Sequence, residues 1–137
     1  MINFNYETNF SLENEDTIKA WISKTIRAEN RVEGEINYVF CDDDYLHKLN
    51  VEFLDHDTLT DIISFDYSVG NTINGDVFIS VERVRDNARD FETRFQDELN
   101  RVIIHGILHY CGYKDKSAEE EKLMRGKEDD YLAKMGV

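Results

Sequence analysis

The chain has 137 residues, 41% of them hydrophobic and 12% aromatic, and a formal charge of −13. A chain of that length and composition fits one globular domain spanning residues 1–137, with a core of its own, and excludes a disordered one. The acidity excludes a broad basic groove, because phosphate contacts need Lys and Arg.

The opening Met1 to Phe10 has no basic segment followed by an apolar one, and no apolar run approaches the roughly 18 residues of a membrane span. Neither a secretory signal nor a membrane partner is expected. Cys41 and Cys111 form no spacing pattern and read as reduced thiols of a cytoplasmic protein.

Ile2-Asn3-Phe4-Asn5-Tyr6 alternates as a strand. Ile18, Trp21, Ile22, Thr25 and Ile26 recur at helical spacing and predict an amphipathic helix from Asn14 to Glu29. Gly34 precedes a second strand, Glu35 to Cys41. Asp42, Asp43 and Asp44 then offer capping oxygens to a short helix with Leu46, Leu49 and Phe53 inward. Asp61 to Tyr67 and Gly75 to Val81 read as two further strands. Gly70-Asn71 and Asn74-Gly75 between them are turn pairs, so the two form a hairpin. Val84, Ala88 and Phe91 mark the next helix. Phe95 to Cys111 follows as a helix whose second half is apolar nearly all round, the sign of a buried central helix. Ser117 and Glu120 make a capping box that opens a last helix through Leu132. The order β-α-β-α-β-β-α-α-α predicts an α+β fold: a small mixed four-stranded sheet with helices packed on it.

Charge is unevenly placed. Residues 83–127 hold ten of the sixteen basic groups against nine acidic ones; the rest of the chain holds six against twenty. The near-neutral stretch contains His105-Gly-Ile-Leu-His-Tyr-Cys-Gly-Tyr-Lys-Asp115. Four residues on a helix advance about 400°, so His105 and His109 share a face and can grip one cation. Gly112 can take the left-handed conformation that ends a helix and turns the chain back. That return brings Asp115 towards the rings as a third ligand. Three protein ligands leave a tetrahedral position open, the arrangement of catalytic rather than structural zinc. Cys111 points elsewhere on the helix and reads as a small core residue. Zinc proteases of the HExxH type place a glutamate base after the first histidine; here that position is Gly106, so proteolysis by that route lacks its base.

These residues resemble the bacterial rRNA maturation factors, the YbeY-type endoribonucleases. That family carries H-G-x-L-H-x-x-G-Y, matched by His105, Gly106, Leu108, His109, Gly112 and Tyr113. Leu49-Asn50 with Thr60-Asp61-Ile62-Ile63-Ser64-Phe65 is similar to its L-N…T-D-V-L-S-F, and Gly75-Asp76-Val77 to its G-D-I. The likeness spans about residues 36 to 132 and implies a mixed sheet with a central metal-bearing helix.

It also implies a metal-dependent endoribonuclease specific for single strands, acting in rRNA maturation and ribosome biogenesis in the cytoplasm. Its cofactor would be one Zn2+ held by His105, His109 and Asp115. Its partners would be single-stranded or precursor rRNA, and ribosomal proteins or the small ribosomal subunit. Asp61, Ser64 and Lys114 are expected to meet substrate, with Asp76 and Lys116 as lesser candidates; no residue is assigned as the general base. Two positions depart from the family. Asp115 stands where a histidine is usual, a harder donor that widens the choice to other divalent ions. Leu54 stands where an arginine is usual, and is expected to pack the short helix with Leu49 and Phe53. The alternative from another class is a non-catalytic ribosome-assembly factor with a structural ion, whose acidic Asp42–Asp44 face docks on basic proteins.

Overall fold

The computed structural model describes residues 1–56 and 58–135. The elements are β1 (Ile2–Tyr6), α1 (Glu15–Ala28), β2 (Val32–Cys41), α2 (Asp43–Leu54), β3 (Ile62–Asp66), β4 (Thr72–Ser80), α3 (Val81–Asp90), α4 (Phe95–Tyr110) and α5 (Ala118–Ala133). They form the α+β arrangement expected, a mixed four-stranded sheet in the order β1-β2-β4-β3. β1 and β4 run parallel to β2, while β3 runs antiparallel to β4 at the edge.

Side-chain alternation divides the sheet into two faces. Ile36, Tyr38 and Phe40 of β2 and Ile73, Val77 and Ile79 of β4 are fully or almost fully buried in the main core, which includes residues of α1 and α4. A smaller cluster of Cys41, Leu46 and Ile63 lies under α2. On the antiparallel edge, Ile62 pairs with Ile79 and Ser64 with Val77, so Ile62 and Ser64 share the main-core face. That register brings Ser64 to the side on which α4 lies.

α4 is the central helix that its apolar second half predicted, with Ile103, Ile104, Ile107 and Leu108 inaccessible to solvent. Two tyrosines tie it to the sheet. The Tyr38 hydroxyl donates to the Ile103 carbonyl at 2.8 Å, and the Tyr110 hydroxyl reaches the carbonyls of Phe65 and Asp76 at 3.1 and 3.2 Å. Gly75 makes room for Tyr110: a Cβ there would lie 2.4 Å from the tyrosine ring. Gly106 lies against Ile62 and Val77, so its missing side chain lets the helix settle on the sheet.

Some boundaries differ from expectation. β2 starts at Val32 and β4 at Thr72, so Asn74-Gly75 lies within a strand and the turn is centred on Gly70, whose φ is 58°. The two strands continue across an irregularity between Glu33 and Ile36, where the Asn74 side chain accepts from the Glu35 backbone N–H at 2.8 Å. Asp76 therefore sits inside β4, accepting from Asn37 at 3.1 Å. In α2, Leu46 is buried, but Phe53 and Leu54 are 62% and 44% exposed. Near the end of the helix, Phe53 packs edge to face with Phe65. Leu54 is thus not the packing residue expected. Phe91 also faces outward, because it lies at the C-cap of α3 beyond the buried Val84 and Ala88.

Candidate metal centre

Three pieces of local structure bring the candidate ligands together. The helical repeat of α4 stacks His105 and His109, their rings perpendicular and 4.4 Å apart. A Schellman ending then stops the helix: the Tyr113 N–H bonds to the Leu108 carbonyl and the Gly112 N–H to the His109 carbonyl. Gly112 has φ 103°, a conformation that favours glycine. Finally, the capping box at Ser117 starts α5 and fixes the far end of the return. Between these stops, Asp115 Oδ2 lies 3.2 Å from His105 Nε2 and 3.4 Å from His109 Nε2.

That spacing suits a metal ion. Zinc bonds of about 2.0–2.1 Å in a tetrahedron place neighbouring donors roughly 3.3–3.5 Å apart. All three donor atoms lie within 4.8 Å of one another, and this is the one such group among the described residues. The other ring nitrogens are already engaged. His109 Nδ1 lies 3.0 Å from the Tyr113 carbonyl, which can only accept, so the proton belongs on Nδ1 and a neutral ring leaves Nε2 with its lone pair. His105 Nδ1 lies 2.6 Å from Glu128 Oε2 and is held in the same way.

Glu128 is almost fully buried on α5 and also accepts from Arg101 Nη1 at 2.8 Å. Burial alone would raise its pKa, but the hydrogen bonds from His105 and Arg101 outweigh that and hold it below the usual range. His105 is pushed the other way: burial opposes its charge, yet Glu128, Asp115 and Asp61 together raise its pKa. Side-chain exposure increases from 20% at His105 to 30% at His109 and 40% at Asp115, so the centre opens to solvent on the Asp115 side.

It opens into a cavity of about 550 Å3 between the β3 edge, α3, α4 and α5. Asp61 and Ser64 line this cavity beside the histidines, as does the buried Met124. Lys114, Lys116 and Asp76 do not line it; the two lysines lie on the exposed return. Leu54 is absent from the cavity too, and its arginines are Arg101 and Arg125.

A model of the family described as endoribonuclease YbeY matches residues 2–136. The chain belongs to the endoribonuclease YbeY family. It is 66% identical over 137 residues to endoribonuclease YbeY of Flavobacterium johnsoniae, covering 100% of this chain and 99% of that protein. The Porphyromonas gingivalis endoribonuclease YbeY is 54% identical over 112 residues, 82% of this chain and 74% of that one. Among solved structures, a solution structure from Thermotoga maritima aligns with TM-score 0.73 at 28% identity, covering 98% of this chain and 89% of that one.

Within this YbeY fold, sequence reasoning missed Glu128, Arg101 and Glu98. A signal existed for each. Met124, Glu128 and Tyr131 are the buried positions of α5, so Glu128 sits in an otherwise apolar stripe. Glu98, Arg101, His105 and His109 recur along one side of α4 within an arc of about 80°, a polar seam on an apolar helix.

Proposed function

We propose that this YbeY family member is a cytoplasmic, zinc-dependent endoribonuclease that cleaves single-stranded RNA during rRNA maturation, with residues 1–137 as one catalytic domain. The observation that carries this reading is the convergence of two imidazole Nε2 atoms and one carboxylate oxygen at the mouth of an open cavity. A structural ion would be closed off by a fourth protein ligand; here the third ligand is the most exposed of the three. The mixed nitrogen and oxygen set suits zinc and also admits other divalent ions.

His105 and His109 would hold the ion through Nε2 and Asp115 through Oδ2, while Glu128 and the Tyr113 carbonyl fix the rings. A divalent ion at this position supplies Lewis acidity towards a phosphodiester oxygen. Asp61 and Ser64 border the path of the substrate across the β3 edge, with Asp61 held by Asn87 at 3.4 Å. Burial raises the pKa of Asp61 against the opposing pull of the backbone N–H groups of Asp61 and Ile62 and of His105. Lys114, outside the cavity, is suited to phosphates entering along the return. No helix of the described residues is long and apolar enough to cross a membrane.

The strong net negative charge supports a contact with basic ribosomal proteins of the small subunit, in keeping with action on ribosomal precursors. The test is cleavage of an unstructured RNA by zinc-loaded protein, by chelated protein and by His109→Ala. Cleavage by the loaded protein alone is expected. Intact RNA with folded, loaded protein would instead favour a non-catalytic assembly factor with a structural ion.

A further inference from the structure

The same cavity contains a carboxylate that none of these roles uses. Glu98 lies in the first turn of α4, is 7% exposed and lines the cavity. Its side chain makes no hydrogen bond or ion pair among the described residues. An ionised carboxylate so placed is costly unless a counter-charge meets it. The basic neighbour on its own helix, Arg101, already donates to Glu128 and Asp129 at 2.8 and 2.6 Å. Arg125 of α5 lines the cavity but is exposed.

The second carboxylate there is Asp61, on the segment entering β3. Its position is fixed by Asn87 and by the backbone N–H groups of Asp61 and Ile62. Asp61 and Glu98 line the same cavity; burial and then the Asp61 charge raise the pKa of Glu98, against the opposing charges of Arg101 and Arg125. Ser64 and Thr60 add hydroxyl oxygens to the lining. The histidines follow two and three turns further along the same face of α4. All the donors here are oxygens, in contrast to the nitrogen-rich centre next to it.

We propose that Asp61 and Glu98 form a second cation subsite, which takes a hydrated divalent ion of the Mg2+ or Mn2+ class. Two hard carboxylates with room for water are the usual protein share of such a site, and a phosphate oxygen completes it. The electrostatics call for it. Asp61, Glu98, Asp115, Glu121 and Glu128 line a cavity whose arginines are Arg101 and Arg125, so a polyanion entering it meets an excess of like charge. One hydrated ion between Asp61 and Glu98 reverses that locally. The use of the subsite for RNA rests on the endoribonuclease reading; its existence does not.

The test is Mn2+ binding, followed by electron paramagnetic resonance, to protein first loaded with one equivalent of Zn2+. The expected result is one further Mn2+ per chain, with affinity at least tenfold weaker in Glu98→Gln and in Asp61→Asn. Zinc content and unfolding temperature should stay as in the parent. His109→Ala, which removes a proposed ligand of the first centre, should keep the Mn2+ site. No Mn2+ bound beyond the zinc equivalent, or equal Mn2+ binding by the parent and both carboxamide variants, would overturn the subsite. A parent that takes up Mn2+ here but no Zn2+ at the histidines would uphold the subsite and overturn the zinc reading instead.

Discussion

At the scale of single residues, the proposed metal centre depends on a partner that is not one of its proposed ligands. Glu128 accepts from His105 Nδ1, and this fixes the ring so that Nε2 faces Asp115. Partners of this kind typically account for about 10–100-fold in metal affinity. Glu128→Gln is therefore expected to weaken Zn2+ binding about tenfold or more in competition with a chelating dye. An unchanged affinity would mean that α4 alone orients the ring. Asp115→Ala should lower affinity more, because it removes a donor outright, while Asp115→His should restore zinc binding with a softer ligand. The two histidines and the aspartate were legible in the sequence because helical period and a glycine stop are local properties. Glu128 was not, because its pairing with His105 joins two helices and depends on how α5 docks.

Among the elements, α4 is fixed to the sheet by hydrogen bonds to carbonyls that tyrosines reach through the core. Gly75 sits where Tyr110 crosses β4, and an added Cβ would also come within 2.7 Å of the Phe65 carbonyl, which is backbone and cannot turn away. Gly75→Ala should therefore cost about 1–3 kcal/mol in urea unfolding, the range of overpacked cores. Tyr110→Phe should cost about 1 kcal/mol by removing the hydroxyl that adds a further hydrogen bond to two strand carbonyls. A neutral Gly75→Ala would show that the tyrosine and strand relax more than the packing implies. The order and type of every element could be read from periodicity, capping and turn residues. The starts of β2 and β4 could not, because Asn74-Gly75 has the composition of a turn and is kept in the strand by a side-chain bond across the sheet. The outward Phe53 and Leu54 escaped for a related reason: helical spacing defines a face but not where the neighbouring sheet ends.

For the whole molecule, one cluster joins the two ends of the chain to the motif. Glu29, at the end of α1, accepts from Tyr113 at 2.8 Å and from Tyr131, with Lys127 3.7 Å away. Burial would raise the Glu29 pKa, but the Tyr131 and Tyr113 hydrogen bonds and the Lys127 charge lower it overall. A carboxyl group with a lower pKa folded than unfolded adds stability that is complete above its ordinary range and is lost as pH falls through its folded value. Glu29→Gln should thus narrow the gap between stability at neutral and at acid pH, as read from unfolding curves across that range. A gap as wide as the parent's would mean that the cluster contributes no pH dependence. The chain's excess of acidic groups acts in the opposite sense, because their mutual repulsion grows as they ionise, but only weakly, since most of them are exposed and screened.

The central claim is that two imidazoles and one carboxylate hold a single ion with a position left for substrate. X-ray absorption at the zinc edge of the loaded protein tests it most directly. The spectrum should fit two histidine nitrogens and two oxygens, one of them from Asp115, at about 2.0–2.2 Å with no sulfur, and one oxygen should disappear in Asp115→Ala. A sulfur ligand, a third imidazole, or a spectrum that Asp115→Ala leaves unchanged would contradict it.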